Sequence, residues 1–357
     1  VLPAHAAARW APPPEETYLM RPAALLHRRL AVLAATATTL AAWVALAGLP
    51  TAASAQSAYP DKPVKLSVGF PPGSGPDVVT RLLGQKLGEL LKQQVVVENK
   101  PGAGGQIATQ AVAKSAPDGY NLLLGEVGSI AIAPPAFSKL PYDPSRELVG
   151  VAEVVRSDFL LVVPATSPLK TVADFIKAAK ARGGDRTNFA TFGAGTPGHF
   201  GAEMFGEAAG FKVEPIHYRA TGDAVTAIVA GDTAGAFVST ALGAAQIKGG
   251  KMRALATTAA SRSPLLPDVP TFTEAGMPAM DFSAWFAVFA PAGTPAAVLD
   301  QLNRQVMAAV QSPETRAKLV EAGFSITGSS RADTDRMLKA ETTRWAGVVK
   351  ATGFKGD

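Results

Sequence analysis

Two glycine-rich segments hold the residues whose types and spacing suggest chemistry. The first is Phe70-Pro71-Pro72-Gly73-Ser74-Gly75-Pro76-Asp77. The apolar run 64–70 before it reads as a buried strand. After it Val78, Val79, Leu82, Leu83, Leu87, Leu90 and Leu91 recur at helical spacing, with Asp77 expected as N-cap. A strand, a turn stiffened by proline and glycine, and a helix N-terminus gather backbone N–H groups without partners. The helix dipole makes such a cup favour anions. With neither nucleophile nor base in the segment, its chemistry is holding rather than reacting. Phe70, Pro72, Gly73, Ser74 and Asp77 are its candidate contacts.

The second segment is Phe192-Gly193-Ala194-Gly195-Thr196-Pro197-Gly198-His199. It satisfies G-x-G-x-x-G, and Glu214 stands about twenty residues on, the pattern of a dinucleotide-binding oxidoreductase. Its place in the middle of an exported chain argues against a cytosolic cofactor, and no cofactor is expected. The other reading has Gly193, Ala194, Gly195 and Thr196 present N–H and O–H groups to a carboxylate. His199 reads as a helix-start residue packing nearby, and His217 is the other histidine past residue 55. Two histidines do not make a metal site, and a G-x-S-x-G elbow for hydrolysis is missing.

Further candidates follow other strand-like runs. Gly128 and Ser129, after the run 121–124, offer an amide and a hydroxyl. Glu126 beside them is expected to point to solvent; if it lines the site, it opposes a second anionic group. Tyr218, Arg219 and Thr221 follow the run 214–218. Arg219 either pairs bidentately with a ligand carboxylate or stays solvated, and Asp223 is expected as an N-cap. Ser239 and Thr240 offer hydroxyls, and Trp285 either walls the site or packs in the core.

The elements that position these loops alternate in type. Runs 64–70, 94–98, 121–124, 159–163, 188–191, 214–218, 234–238 and 252–257 read as short buried strands. Helical patterns fall at 77–92, 106–115, 172–181, 198–209 and 223–230, and past 290 at 295–312, 314–322 and 331–352. The alternation predicts an α/β class of parallel sheets covered by helices, with ligands beyond the carboxyl ends of the strands.

A leader precedes them. Arg21, His27, Arg28 and Arg29 form a basic region, residues 30–49 are apolar, and Ala53-Ser54-Ala55 is a small-x-small cleavage pattern. Residues 20–55 are read as a signal peptide cleaved before Gln56, with 1–19 upstream of the true start at Met20. The chain has no cysteine, which excludes disulfides and thiolate chemistry. Its net charge of +5 includes four arginines and two glutamates in residues 1–55. What remains is near balance, without the basic stripe that nucleic-acid binding needs.

Blocks along the chain carry a family resemblance. They include Tyr59-Pro60-Asp61-Lys62-Pro63, the first glycine-rich loop, and Val97-Glu98-Asn99-Lys100-Pro101-Gly102-Ala103-Gly104-Gly105. Ala116-Pro117-Asp118-Gly119-Tyr120, Leu140-Pro141-Tyr142-Asp143-Pro144, Glu274-Ala275-Gly276 and Ala290-Pro291-Ala292-Gly293-Thr294 follow in order. Over residues 59–353 the chain resembles a Bug-type extracytoplasmic solute receptor, the binding component of tripartite tricarboxylate transporters. The resemblance implies a two-lobed periplasmic binding protein of type II-like, Venus-flytrap form, each lobe a mainly parallel sheet flanked by helices. Residues 56–157 plus 283–357 would form one lobe and 158–282 the other, with the loops above facing the cleft. It further implies a monomeric, non-enzymatic carrier in the periplasm. A small organic acid would be the ligand, and membrane permease subunits, or alternatively a sensor kinase, the partner. Such receptors more often carry a small polar residue where Glu126 stands. They also show glycine, alanine and proline where this chain has Ala220, Gly222 and Asp223.

Overall fold

Short apolar runs bounded by glycine and proline become strands here, and the amphipathic stretches between them become helices. A computed structural model describes residues 59–181, 186–218 and 220–356. The expected signal peptide, the segment ahead of it and Arg219 lie outside the described residues. β1 (Val64–Val68) runs through the first glycine-rich loop into α1 (Gly75–Leu91), and β2 (Val95–Asn99) into α2 (Gln106–Ala113). β3 (Asn121–Glu126) leads into a wide, π-type helical turn, Gly128–Ile132. β4 (Leu148–Pro164) leads to α3 (Val172–Lys180) and a second set of strand–helix pairs. These are β5 (Thr187–Thr191) with α4 (Pro197–Ala209), β6 (Val213–His217) with α5 (Thr221–Ala230), and β7 (Gly235–Ser239) with α6 (Thr240–Lys248). β8 (Met252–Thr257), β9 (Ser283–Pro291), α7 (Ala296–Gln311), α8 (Pro313–Glu321), β10 (Ser325–Ile326) and α9 (Arg331–Thr352) complete the chain.

The strands form two halves of one pattern. In the first, β2, β1 and β3 are parallel, and β9 and β4 continue the sheet antiparallel. In the second, β6, β5 and β7 are parallel, and β4 and β8 continue it antiparallel. The sheets are therefore mixed, and the expected mainly parallel order holds only within each triplet. β4 belongs to both halves. It pairs with β9 from Leu148 to Asp158 and with β7 from Phe159 onward. Register shifts at Gly150/Ala152 and Glu153/Val155 against β9, and at Leu161/Val162 against β8, bend it enough to serve both.

All nine residues of β9 are buried. A central strand covered on both faces has no alternation to betray it, which is why the run 283–291 did not read as a strand. Trp285 and Trp345 lie among the fully buried side chains where α9 packs back on the first sheet. Each such ring contributes roughly 1.5–3 kcal/mol by leaving water. Phe175, Phe189, Phe205, Phe237 and Phe272 form the core of the second half, with Phe237 5.6 Å from Phe282 between ring centroids. Among the described residues no helix is long and apolar enough to cross a membrane.

Candidate ligand-binding site

The first glycine-rich loop is held by a chain of hydrogen bonds that begins at its cap. Ser74, not Asp77, is the N-cap of α1, and Asp77 stands at the third helical position. The Ser74 hydroxyl donates to Pro71 O at 2.7 Å and accepts from Asp77 N at 3.4 Å. The Asp77 carboxylate, 3 % exposed, turns inward. It accepts from Gly73 N at 2.9 Å, Arg81 Nε at 3.0 Å and Asn99 Nδ2 at 2.8 Å. Burial alone would raise its pKa, but these donors hold it below the ordinary carboxylate value. Asp77 thus braces the loop. Asn99, the last residue of β2, also donates to Phe70 O at 3.0 Å.

The second loop repeats this design. Thr196 is the N-cap of α4 and His199 the third helical residue. The Thr196 hydroxyl donates to Gly193 O at 2.8 Å and accepts from His199 N at 3.4 Å. His199 Nδ1 accepts from Gly195 N at 3.1 Å, as Asp77 does from Gly73. Gly73 and Gly195, each just before a cap, have φ of +79° and +73°, a region natural only to glycine. As Asn99 does in the first half, His217 at the end of β6 lies beside the brace, its ring centroid 4.8 Å from that of His199. Burial, then the neighbouring His217, lowers the His199 pKa to about 4. Neutral His199 is the form whose Nδ1 can accept.

Two consequences follow for the predicted contacts. The Gly195 N–H is taken by His199 Nδ1. The first-turn amides without an intrahelical partner belong to Gly75 in α1 and Gly198 in α4. Pro72, Gly73 and Ala194 are exposed, whereas Phe70, Ser74, Gly193, Thr196 and Tyr218 are half-buried around these turns.

At the end of β3, Glu126 is 8 % exposed and does not point to solvent, which corrects the expectation. Its Oε1 accepts from Ser129 N at 3.2 Å, and Gly128 N–H also donates to the carboxylate. Burial pushes its pKa up to about 7, only partly offset by those amides. The Ser129 hydroxyl is buried, 3.0 Å from that of Thr109, and Tyr142 Oη donates to Ser129 O at 2.7 Å. A Cβ on Gly105 would lie 3.6 Å from Ser129 Oγ and 3.8 Å from the Phe70 ring, so these residues gather at one end of the first sheet.

The remaining candidates follow other strands. Ser239 caps α6, its hydroxyl accepting from Leu242 N at 3.4 Å, and the Thr240 hydroxyl donates to Asp158 O at 3.0 Å. Thr221 is exposed at the start of α5, whose N-cap is Ala220; Asp223 lies inside the helix, not at its cap. Trp285 is fully buried, and its Nε1 donates to Glu341 Oε2 at 3.0 Å. It therefore packs in the core, the second of the two readings. Glu214 sits near the start of β6, away from the glycine loop, and pairs with Arg186 at 2.9 Å. A ribose-binding acid belongs at the carboxyl end of its strand, so the dinucleotide pattern lacks its geometry.

Sequence reasoning missed the carboxyl-terminal tail. Phe354 packs on His199 and Phe200 with centroids 5.3 and 5.4 Å away, and Gly356 N donates to Ala136 O at 2.8 Å. The tail thereby ties the second glycine loop to the helical segment after Glu126. Nothing in its polar, glycine-bearing sequence signals this.

Two strand triplets, joined by a shared crossing strand and carrying matched capped loops at their carboxyl ends, define a two-lobed periplasmic-binding-protein fold. The family model described as "Tripartite tricarboxylate transporter family receptor" matches residues 79–354, and the chain belongs to that family. The chain is 36% identical to protein BugT of Bordetella pertussis over 88% of this chain and 96% of that one. Among solved structures it is similar to a Rhodopseudomonas palustris protein with adipate, with 32% identity and a TM-score of 0.75 over 83% of this chain and 99% of that one. MatC from the same organism, with bound malate, is 29% identical, with a TM-score of 0.71 over 82% of this chain and all of the other.

Proposed function

We propose that the protein is a periplasmic carrier that captures a small organic carboxylate between its halves and hands it, unchanged, to the permease subunits of a tripartite transporter. The observation that carries this reading is the matched pair of loops. Each half offers one unpartnered first-turn amide, on Gly75 and Gly198, at the carboxyl end of its parallel strands. The adipate and malate held by structural relatives fit the same chemistry. Residues 56–157 with 283–357 form one lobe and 158–282 the other, a division supported by the change of β4 partners between Asp158 and Phe159. The hinge lies there and at the start of β9. The ligand favours the closed form by contacting both loops at once, and closure strengthens each charge–dipole contact by excluding water. The carrier works as a monomer.

A thermal-shift screen of organic acids tests this. At about 100 times its dissociation constant, a ligand adds about 2.7 kcal/mol, worth about 5 °C in a chain of this size. A rise of that order for at least one carboxylate is expected. No shift with any mono-, di- or tricarboxylate would refute the reading.

A further inference from the structure

Glu126 is the buried ionisable group that simple carboxylate capture leaves without a part. Its carboxylate rests on the Gly128 and Ser129 amides, and no cation contributes to its environment. A Cβ on Gly128 would come within 2.4 Å of Glu126 Oε1, so the turn is built to admit this carboxylate. The neighbours are mostly uncharged. α2 and the short helix Ala133–Ala136 bring no ionic residue, and Thr109 and Tyr142 bond Ser129. Burial, then the Glu126 charge, raises the Tyr142 phenol, so it stays a neutral donor. α9, which packs against the turn, carries Lys339, Glu341, Arg344 and Lys350 from its middle to its carboxyl end. The Glu341 carboxylate is taken by the Trp285 and Trp345 indoles.

The turn at the end of β3 therefore already holds a buried carboxyl group of its own. A bare second carboxylate arriving there would meet a like charge in a poorly screened place. We propose that Glu126 sets the ligand class of the site. A carboxylate whose far end carries a hydrogen donor, an ammonium or a hydroxyl, binds directly. A dicarboxylate without such a donor binds only with a proton shared between its second carboxyl and Glu126. The inference rests on the carboxylate capture proposed above. With Glu126 held near neutrality, that proton is available at mildly acidic pH.

Titration calorimetry with glutamate, malate and adipate between pH 6 and 8 tests it, on the unaltered protein and on Glu126→Gln. Adipate affinity should fall about tenfold per pH unit above about pH 7, as one proton must be taken up. Buffers of different ionisation heat should register that uptake. Glutamate and malate should change less than about threefold, and E126Q should make adipate binding independent of pH. Should E126Q fold poorly, Glu126→Thr replaces it, and the pH series on the unaltered protein decides by itself. Adipate affinity equal at pH 6 and 8 would overturn the proposal, as would failure of all three acids to bind. Only if the wider acid screen is blank as well does carboxylate capture fall with it.

Discussion

Asp77 and His199 do the same work with different chemistry. Each takes the N–H of the glycine before a cap and locks a loop that would otherwise have many conformations. Asp77→Ala would strand three donors, from Gly73, Arg81 and Asn99. Charged-acceptor bonds of this kind carry about 1.5–3 kcal/mol each, not additively, so a loss of about 2–4 kcal/mol is expected in urea unfolding. A loss below about 0.5 kcal/mol would show that the brace is ornamental. His199 adds a pH dependence. Its folded pKa of about 4 lies below the ordinary 6.5, so the unfolded chain takes up the proton first. The stability present above pH 6.5 is then lost as pH falls toward 4. Glu126, raised from 4.5 to about 7, has the opposite sign: stability present below 4.5 is lost as pH rises to about 7. Denaturant unfolding at stepped pH should show His199→Asn flattening the acid limb and Glu126→Gln the other. Unaltered slopes in either variant would contradict the assignment. Asp77 was expected as the cap where Ser74 stands, so only the helix starts themselves were legible. The direction in which the His199 ring points was not, because neighbours distant in sequence set it.

At the scale of elements, the strands that alternate with helices were readable, and the two that join the halves were not. β8 and α9 fall where the periodicity places them. β4 was legible only over its last residues, because its first part is buried without alternation and its length follows from pairing with two sheets. Helix α4 gives a test of close packing. A Cβ on Gly201 would come within 2.3 Å of the buried Phe282 ring. Alanine favours a helix over glycine by about 1 kcal/mol, whereas overpacking a core costs about 1–3 kcal/mol. Gly201→Ala should therefore lower stability by up to about 2 kcal/mol. A stabilised variant would mean that α4 can move away from Phe282 at no cost.

At the scale of the molecule, the use of the same capped strand–turn–helix loop in both halves explains why the site was partly visible in advance. Both glycine loops announced themselves through the same strand–turn–helix pattern. Which of their amides stay free depends on Asp77 and His199, and the tail at Phe354 reaches the second loop only through the fold. The account stands on one arrangement: a single carboxylate gripped by helix-start amides from both halves. A crystal structure of the protein with its best-stabilising acid measures that directly. The account predicts carboxylate oxygens at about 2.7–3.2 Å from both the Gly75 and the Gly198 amides, with the two halves closed over the ligand. An acid bound away from both loops, or held by one half alone in a closed crystal form, would contradict it.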